Sequence, residues 1–310
     1  MNEFELIARL TRTLPTNDSV VVGAGDDCAV VECGDPQRQL LFKTDAVVEG
    51  IHFTGETPPE KIGRKALARC LSDIAAMAGT PSTALVTIAL PKQFSVEFVE
   101  SIYAGINTLA KQHGVAIVGG ETTTNPDRVL ISISLLGFVP RAKAVLRSGA
   151  KVGDAIFVTG ELGGSIQGKH LDFKPRLAEA RWLAENYAVH AMMDVSDGLA
   201  GDLRHLLTAS GVGAELLKSA VPISRAAKEI AKRGDAVKPA FVAALTDGED
   251  FELLFTVASK TAVPVLDAWK KQFPDVQLSC IGKVIAGEGI RLRDQTGVRP
   301  LTTHGYVHFS

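Results

Sequence analysis

The sequence predicts a mixed α/β protein of two domains. Short apolar runs with strand character alternate with longer stretches of helical periodicity along the whole chain. Midway, a basic stretch from Pro140 to Gly153, carrying Arg141, Lys143, Arg147 and Lys151, interrupts the apolar pattern. A chain of 310 residues that is 46% hydrophobic and 22% charged is long enough for two packed cores. The expected division is 1–140 and 141–310.

The elements follow in order. Phe4, Leu6, Ile7, Leu10 and Leu14 recur at helical spacing, which predicts a helix over 3–13 ended by Pro15. Residues 20–22 and 28–32 read as short strands around Gly25-Asp26-Asp27. Asp and Gly are poor strand formers, so the two acids belong at a strand mouth. Residues 39–45 read as a buried strand running into Thr44-Asp45. A helix over 59–78 opens at Pro58-Pro59 and stops at Gly79, with Ile62, Ala66, Leu67, Cys70, Leu71, Ile74 and Met77 as its apolar face. Asp73 falls at the edge of that face, where an acid either reaches solvent or points into a cleft.

A strand over 83–90 comes next, then a helix over 95–113 with Ser95 as N-cap and Gly114 as stop. A strand over 115–118 runs into Gly119-Gly120-Glu121, and 128–138 is a long apolar strand. The second half opens with a strand over 154–159. Helices are predicted over 176–186, 199–210, 224–233, 238–245 and 261–272, and strands over 251–258, 277–284 and 289–293. Gly163 to His170 approaches the phosphate-loop pattern, but His170 stands where Ser or Thr must be, so a glycine-rich helix start is the preferred reading.

Composition narrows the partners. A net charge of -2 gives no electrostatic reason to expect nucleic acid or an anionic membrane. No apolar stretch reaches the ~18 residues that span a bilayer. The first residues carry Glu3, Glu5, Arg9 and Arg12 among their apolar positions and do not read as a signal peptide. Cys28, Cys33, Cys70 and Cys280 form no C-x-x-C pair or zinc spacing, which suits free thiols in a reducing cytoplasm.

The informative residues are acids. Asp26-Asp27, Asp45, Asp73, Glu121, Asp194 with Asp197, and Asp247 with Glu249 and Asp250 make six separated sites, each at or near the end of a regular element. Oxygen donors of this kind suit Mg²⁺, a hard cation held by a few carboxylates plus substrate phosphates. The basic stretch at 140–153 reads equally as an anion site or a solvated linker.

Taken together, these residues resemble a family. Nine motifs stand in its order: Gly25-Asp26-Asp27-Cys28-Ala29, Thr44-Asp45, Gly50-Ile51-His52-Phe53, Ser72-Asp73-Ile74-Ala75-Ala76-Met77, Gly119-Gly120-Glu121-Thr122, Arg147-Ser148-Gly149-Ala150, Asp194-Val195-Ser196-Asp197-Gly198, Gly248-Glu249-Asp250-Phe251-Glu252-Leu253 and Gly305-Tyr306-Val307-His308-Phe309. The chain resembles the thiamine-monophosphate kinases of the aminoimidazole-ribonucleotide-synthetase-like superfamily over nearly its whole length. The resemblance implies two α/β domains, the first binding ATP and Mg²⁺ and pairing with its copy in a homodimer, the second completing the nucleotide and substrate cleft.

The implied reaction is ATP-dependent phosphorylation of thiamine monophosphate to thiamine diphosphate, with the substrate phosphate as nucleophile and no general base. By the same resemblance, Asp27, Thr44, Asp45, Asp73, Glu121, Asp194 and Asp197 would hold several Mg²⁺ ions. Gly120, Glu121, Arg147 and Ser196 would bind ATP, and His52, Glu249 and Tyr306 the thiamine end; Asp26 carries no direct metal contact.

Four departures accompany the resemblance. Glu121 stands where the family has Asp, and Asp247 replaces the first glycine of a Gly-Gly-Glu-Asp run. Lys43 stands where a small hydroxyl residue is common, and either points away or replaces part of the metal charge. The segment from Lys169 to Asp194 is short. The rival readings are another ATP-using member of the superfamily and a non-catalytic nucleotide-binding paralogue.

Overall fold

The structure, a computed structural model, describes residues 3–233, 237–303 and 305–306. Val307, His308 and Phe309 of the terminal motif lie outside the described residues.

The first half builds a six-stranded sheet. Its elements are α1 (Glu3–Thr11), β1 (Val20–Val22), β2 (Ala29–Val31), β3 (Arg38–Val48), α2 (Pro59–Ala76), β4 (Thr80–Leu90), α3 (Val96–His113), β5 (Ala116–Thr124) and β6 (Leu130–Pro140). The strand order is β1-β2-β3-β6-β4-β5. Only β4 and β5 run parallel, because α3 crosses between them. Ser95 caps α3 through the Phe98 N–H, and Gly114 ends it in the left-handed region. β4 starts at Thr80, earlier than its apolar pattern suggests. Pairing with β6 carries it through Pro81, which sits at a register irregularity that tolerates its missing N–H.

The second half builds a seven-stranded sheet from β7 (Asp154–Thr159), α4 (Lys169–Asp172), α5 (Leu177–Asn186), β8 (Val189–Asp194), α6 (Leu199–Ser210), β9 (Gly213–Leu217), α7 (Arg225–Ala231), α8 (Ala240–Thr246), β10 (Leu253–Ala258), α9 (Ser259–Gln272), β11 (Leu278–Ile285), β12 (Ile290–Asp294) and β13 (Gly297–Pro300). The order is β13-β12-β9-β11-β7-β10-β8. β9 and β13 were not expected from the sequence: β9 is too short to show a period, and β13 is exposed throughout. The glycine-rich stretch opens no long helix. A single 3-10 turn, Ser165–Gln167, leads into the four-residue α4. Lys169 donates to the Glu161 carbonyl and pairs with Glu252, so it serves the fold.

α2 sits between the halves. It packs on α3 and β3 on one side and on α4, α5 and β8 on the other. The apolar cluster around it runs from Val30 and Leu41 through Leu67 and Ile74 to Phe157, Leu183 and Trp269. No helix among the described residues is long and apolar enough to cross a membrane. α2 and α3 cross with glycine on each: a Cβ on Gly63 would lie 1.9 Å from the Ile102 carbonyl oxygen, and one on Gly105 would lie 1.9 Å from that of Glu60. Backbone cannot give way as a side chain can. Gly63→Ala is therefore expected to cost about 2 kcal/mol or more in urea unfolding. Unchanged stability would show that α2 and α3 do not touch this closely.

Candidate active site

The site grows from a charged stripe on the buried helix. Lys65, Arg69 and Asp73 recur every four residues on α2, one face in a helix of 3.6 residues per turn. Lys65 is fully buried. Its Nζ lies 2.6 Å from the His52 carbonyl, 2.8 Å from His170 Nδ1 and 2.7 Å from the Glu249 carboxylate. Arg69 Nε donates to Asp45 at 3.1 Å, and its Nη1 lies 3.6 Å from Glu249. Lys43 Nζ lies 3.0 Å from Asp73 Oδ1.

At the Asp73 end three acids meet. Oxygens of Asp27, Asp73 and Asp194 all lie within 4.8 Å of one another, and all three residues are buried. Asp27 comes from the β1–β2 turn, Asp73 from α2 and Asp194 from the end of β8. Arg147 donates from Nη2 to Asp27 Oδ1 at 2.5 Å, and Ser72 from Oγ to Asp194 Oδ2 at 2.5 Å. Asp27 Oδ2 is buried with no hydrogen-bond partner. Asp26 faces differently: it accepts the backbone N–H groups of Asp27 and Arg147, fixing both residues without joining the three acids.

The electrostatics match that crowding. Burial first, then the neighbouring acids, push the Asp73 carboxyl well above its ordinary value against the pull of Lys43. Burial and Asp27 push Asp194 up to about 7. Burial works against ionisation of Asp45 as well, but Arg69 and Lys43 hold it below the ordinary value. Three buried carboxylates sharing one point, one with an orphaned oxygen, form a donor set for a hard divalent cation.

A cleft of about 490 Å³ adjoins Arg69 and is lined by His52, Ser196, Asp197, Glu249, Phe251 and Tyr306 among others. Its floor is the 247–252 loop. Glu249 and Phe251 both take positive φ, 65° and 51°, and donate their backbone N–H groups to the Ser196 and Val195 carbonyls. Burial would raise the Glu249 carboxyl, but His170 and Lys65 bring it down to about 2. Burial lowers the Lys65 ammonium to about 8, with Glu249 opposing. Asp247 accepts the Gly164 N–H at 2.8 Å and pairs with Lys238, which anchors the loop's entry. The Tyr306 N–H donates to the Asp197 carbonyl and sets the tail beside the cleft. The Asp197 N–H is held by buried Asp202.

Thr44 and Glu121 lie elsewhere. Thr44 alternates with Lys43 and Asp45 on β3, so its side chain takes the opposite, open face of the sheet, bonding Ser132 and Ser134. Glu121 pairs through Thr87 and Ser132 to Ala46 and shares that open face, three strand spacings or about 14 Å across it. Gly120 precedes it, where a Cβ would lie 1.8 Å from the Val86 carbonyl oxygen. Sequence reasoning did not single out Lys65, Arg69, His170 or Asp202. The i, i+4, i+8 charges on the helix's apolar side were the available signal for the first two.

Comparisons with known proteins agree with this architecture. Residues 25–139 match the N-terminal domain of AIR synthase related proteins, and residues 151–295 match the C-terminal domain. The thiamine-monophosphate kinase of Rhodopirellula baltica is 41% identical over 307 residues, 96% of this chain and 93% of the relative. That of Bacillus subtilis is 33% identical over 333 residues and 100% of both chains. A solved structure described as AaThiL complexed with AMPPCP and TMP superposes with a TM-score of 0.84 at 31% identity, covering 99% of this chain and 97% of that one. The fold is that of a two-domain AIR-synthase-related protein. Within that class, the chain belongs to the thiamine-monophosphate kinase family.

The metal-free protein is expected to reveal the strain among the acids. Asp194 has a folded value of about 7 against an ordinary 3.8, so its neutral form is the one the fold favours. Its contribution is full below 3.8 and lost as pH rises through about 7. Asp194→Asn carries no charge there. Its melting temperature in EDTA should exceed that of the unsubstituted chain by a margin that widens from pH 5 to 8, reaching on the order of 5 °C. A margin independent of pH would refute the crowding.

Proposed function

We propose that the protein transfers the γ-phosphoryl group of ATP to the phosphate of thiamine monophosphate, giving thiamine diphosphate and ADP. The observation that carries this reading is the cluster of Asp27, Asp73 and Asp194 beside Arg147, with Asp73 one helix turn from Arg69, which lines the cleft that holds Glu249. It is supported by two full-length relatives named thiamine-monophosphate kinase and by a relative solved with AMPPCP and TMP.

The acceptor phosphate is already anionic near neutral pH, so no residue need remove a proton. The barrier is the approach of one anion to another, and positive charge lowers it. Asp27, Asp45, Asp73 and Asp194 would hold Mg²⁺, with Asp197 as a further ligand; the Thr44 and Glu121 side chains, on the open face of the sheet, do not join that set. When bound, Mg²⁺ neutralises the phosphate oxygens and stabilises the charge of the transition state. Arg147, fixed by Asp26 through its backbone and by Asp27 through its guanidinium, adds permanent positive charge beside them. Ser196 and Gly120 meet ATP. In the cleft, ionised Glu249 faces the thiazolium cation and aminopyrimidine, with Tyr306 and His52 as walls.

Residues 1–140 then supply ATP and Mg²⁺ binding, and 141–310 complete the nucleotide and substrate cleft with Arg147, Asp194 and Ser196. The open face of the first sheet exposes Phe42 and Leu85, each 48% accessible, beside Thr44. A second copy seated there would form a homodimer and cover both. The free thiols and the substrate class support a cytoplasmic location.

The test is incubation with thiamine monophosphate, ATP and Mg²⁺, followed by chromatography. Thiamine diphosphate and ADP should form together, and only with Mg²⁺. Consumption of ATP without thiamine diphosphate would assign a sibling activity instead. Asp45→Asn and Asp194→Asn should each lower turnover at least about 100-fold with the fold intact by circular dichroism; near-normal rates in both would remove the metal assignment. Glu249→Gln should raise KM for thiamine monophosphate about tenfold while leaving KM for ATP within a factor of two. Equal rises in both would place Glu249 outside the thiamine subsite.

A further inference from the structure

We propose that Lys43 is a built-in cation of the acid cluster, an ammonium that takes the place of one divalent ion, so that this chain completes its site with one metal ion fewer than its acids alone would gather. The inference rests on the reading of the cluster as a Mg²⁺ site.

Side chains alternate along β3. Leu41, Lys43, Asp45 and Val47 share the face turned to α2, where Leu41 and Val47 are buried. Opposite them, α2 presents Arg69 and Asp73 one turn apart. The strand offers a cation and then an acid, and the helix offers a cation and then an acid. The pairs cross: Lys43 reaches Asp73 at 3.0 Å, while Arg69 reaches Asp45 at 3.1 Å. Both acids on this side of the cluster are therefore met by cations the chain carries itself. The other side differs. Asp194 is met by a hydroxyl, and Asp27 leaves Oδ2 buried and unpartnered although Arg147 takes Oδ1. The cluster is thus closed on its Asp45–Asp73 side and wants positive charge on its Asp27–Asp194 side.

Lys43 is suited to the closed side. Its Nζ lies 3.0 Å from Asp73 Oδ1, on the same face of β3 as Asp45. An ammonium is a compact point charge, closer in character to a metal ion than a guanidinium is. It is also tethered, so it is present before any ion arrives and cannot be removed by a chelator. Of the two fates the sequence left open for Lys43, pointing away or replacing metal charge, the 3.0 Å contact supports the second.

The test counts ions and needs no turnover. Mn²⁺ bound per chain is measured by equilibrium dialysis without nucleotide, and checked by the loss of the free-ion signal in electron paramagnetic resonance. The unsubstituted chain is compared with Lys43→Ser, Lys43→Gln and Lys43→Arg. Ser and Gln remove the charge and should each bind one more Mn²⁺ per chain, whereas Arg keeps the charge and should bind the original number. Gln retains most of the side-chain volume, so a count is obtained even if Lys43→Ser is too unstable to purify. In EDTA the Ser and Gln forms should melt lower than the unsubstituted chain, and Mn²⁺ should restore the difference. An unchanged count in Ser and Gln, with a lowered melting point that Mn²⁺ does not restore, would reduce Lys43 to a structural ion pair and overturn the inference. Absence of Mn²⁺ binding in every form, the unsubstituted chain included, would instead overturn the reading of the cluster as a metal site, and this inference with it.

Discussion

Charge on a buried helix is the constraint from which the rest of the structure follows. α2 lies between two sheets, and an ordinary helix there would be apolar on every side. This one carries Lys65, Arg69 and Asp73 through the core. Leaving one of them without its partner would cost about 3–5 kcal/mol. Each is therefore met from elsewhere in the chain: Lys65 by the 52 turn, His170 and the Glu249 loop, Arg69 by β3, and Asp73 by β3 through Lys43. Partners drawn from both halves tie the halves together. The helix thereby fixes the distance between the acid cluster and the cleft floor, because both are anchored to the same face two turns apart.

The partners of the stripe divide by chemistry. At the Lys65 end the cation wins, and Glu249 is held ionised, with its carboxyl at about 2. At the Asp73 end the anions win, and Asp194 rises to about 7. One end therefore presents a negative group prepared for a cationic ligand. The other is short of positive charge, with Asp27 Oδ2 buried and unpartnered. Thiamine monophosphate carries a cationic ring system at one end and a phosphate at the other. As proposed, the Glu249 end would take the first and the acid cluster, through Mg²⁺, the second.

Much of this was legible in the sequence, and the limits have physical reasons. The helix over α2, its Pro58-Pro59 start and its stop near Gly79 follow from local pattern, as does the Ser95 cap of α3. Asp27, Asp73 and Asp194 could be named as acids at element ends, but their convergence depends on how the two sheets pack, which no local pattern encodes. Lys65 and Arg69 were passed over because long cations on a helix are usually solvated and can reach water from the edge of an apolar face. β9 and β13 were missed because a short strand or a wholly exposed one has no burial contrast to read. The strained backbone at Glu249 and Phe251 was equally hidden, since neither residue type advertises a positive φ.

That strain has a role in the argument for a shared site. Left-handed backbone at a glutamate and a phenylalanine costs free energy at each position and persists only where the surroundings over-determine it. Here the surroundings are the Val195 and Ser196 carbonyls, which accept from Phe251 and Glu249. Those carbonyls directly follow Asp194, so the segment that aims an acid into the acid cluster also shapes the loop that aims Glu249 into the cleft. Displacement of Asp194 would be felt by Glu249 through two backbone hydrogen bonds, and displacement of Glu249 by Asp73 through Lys65 and the helix. The acid cluster and the cleft are thus coupled by two independent routes, one along a strand end and one along a buried helix. In a reaction that requires two phosphates to meet in line, a site that fixed either alone would not suffice.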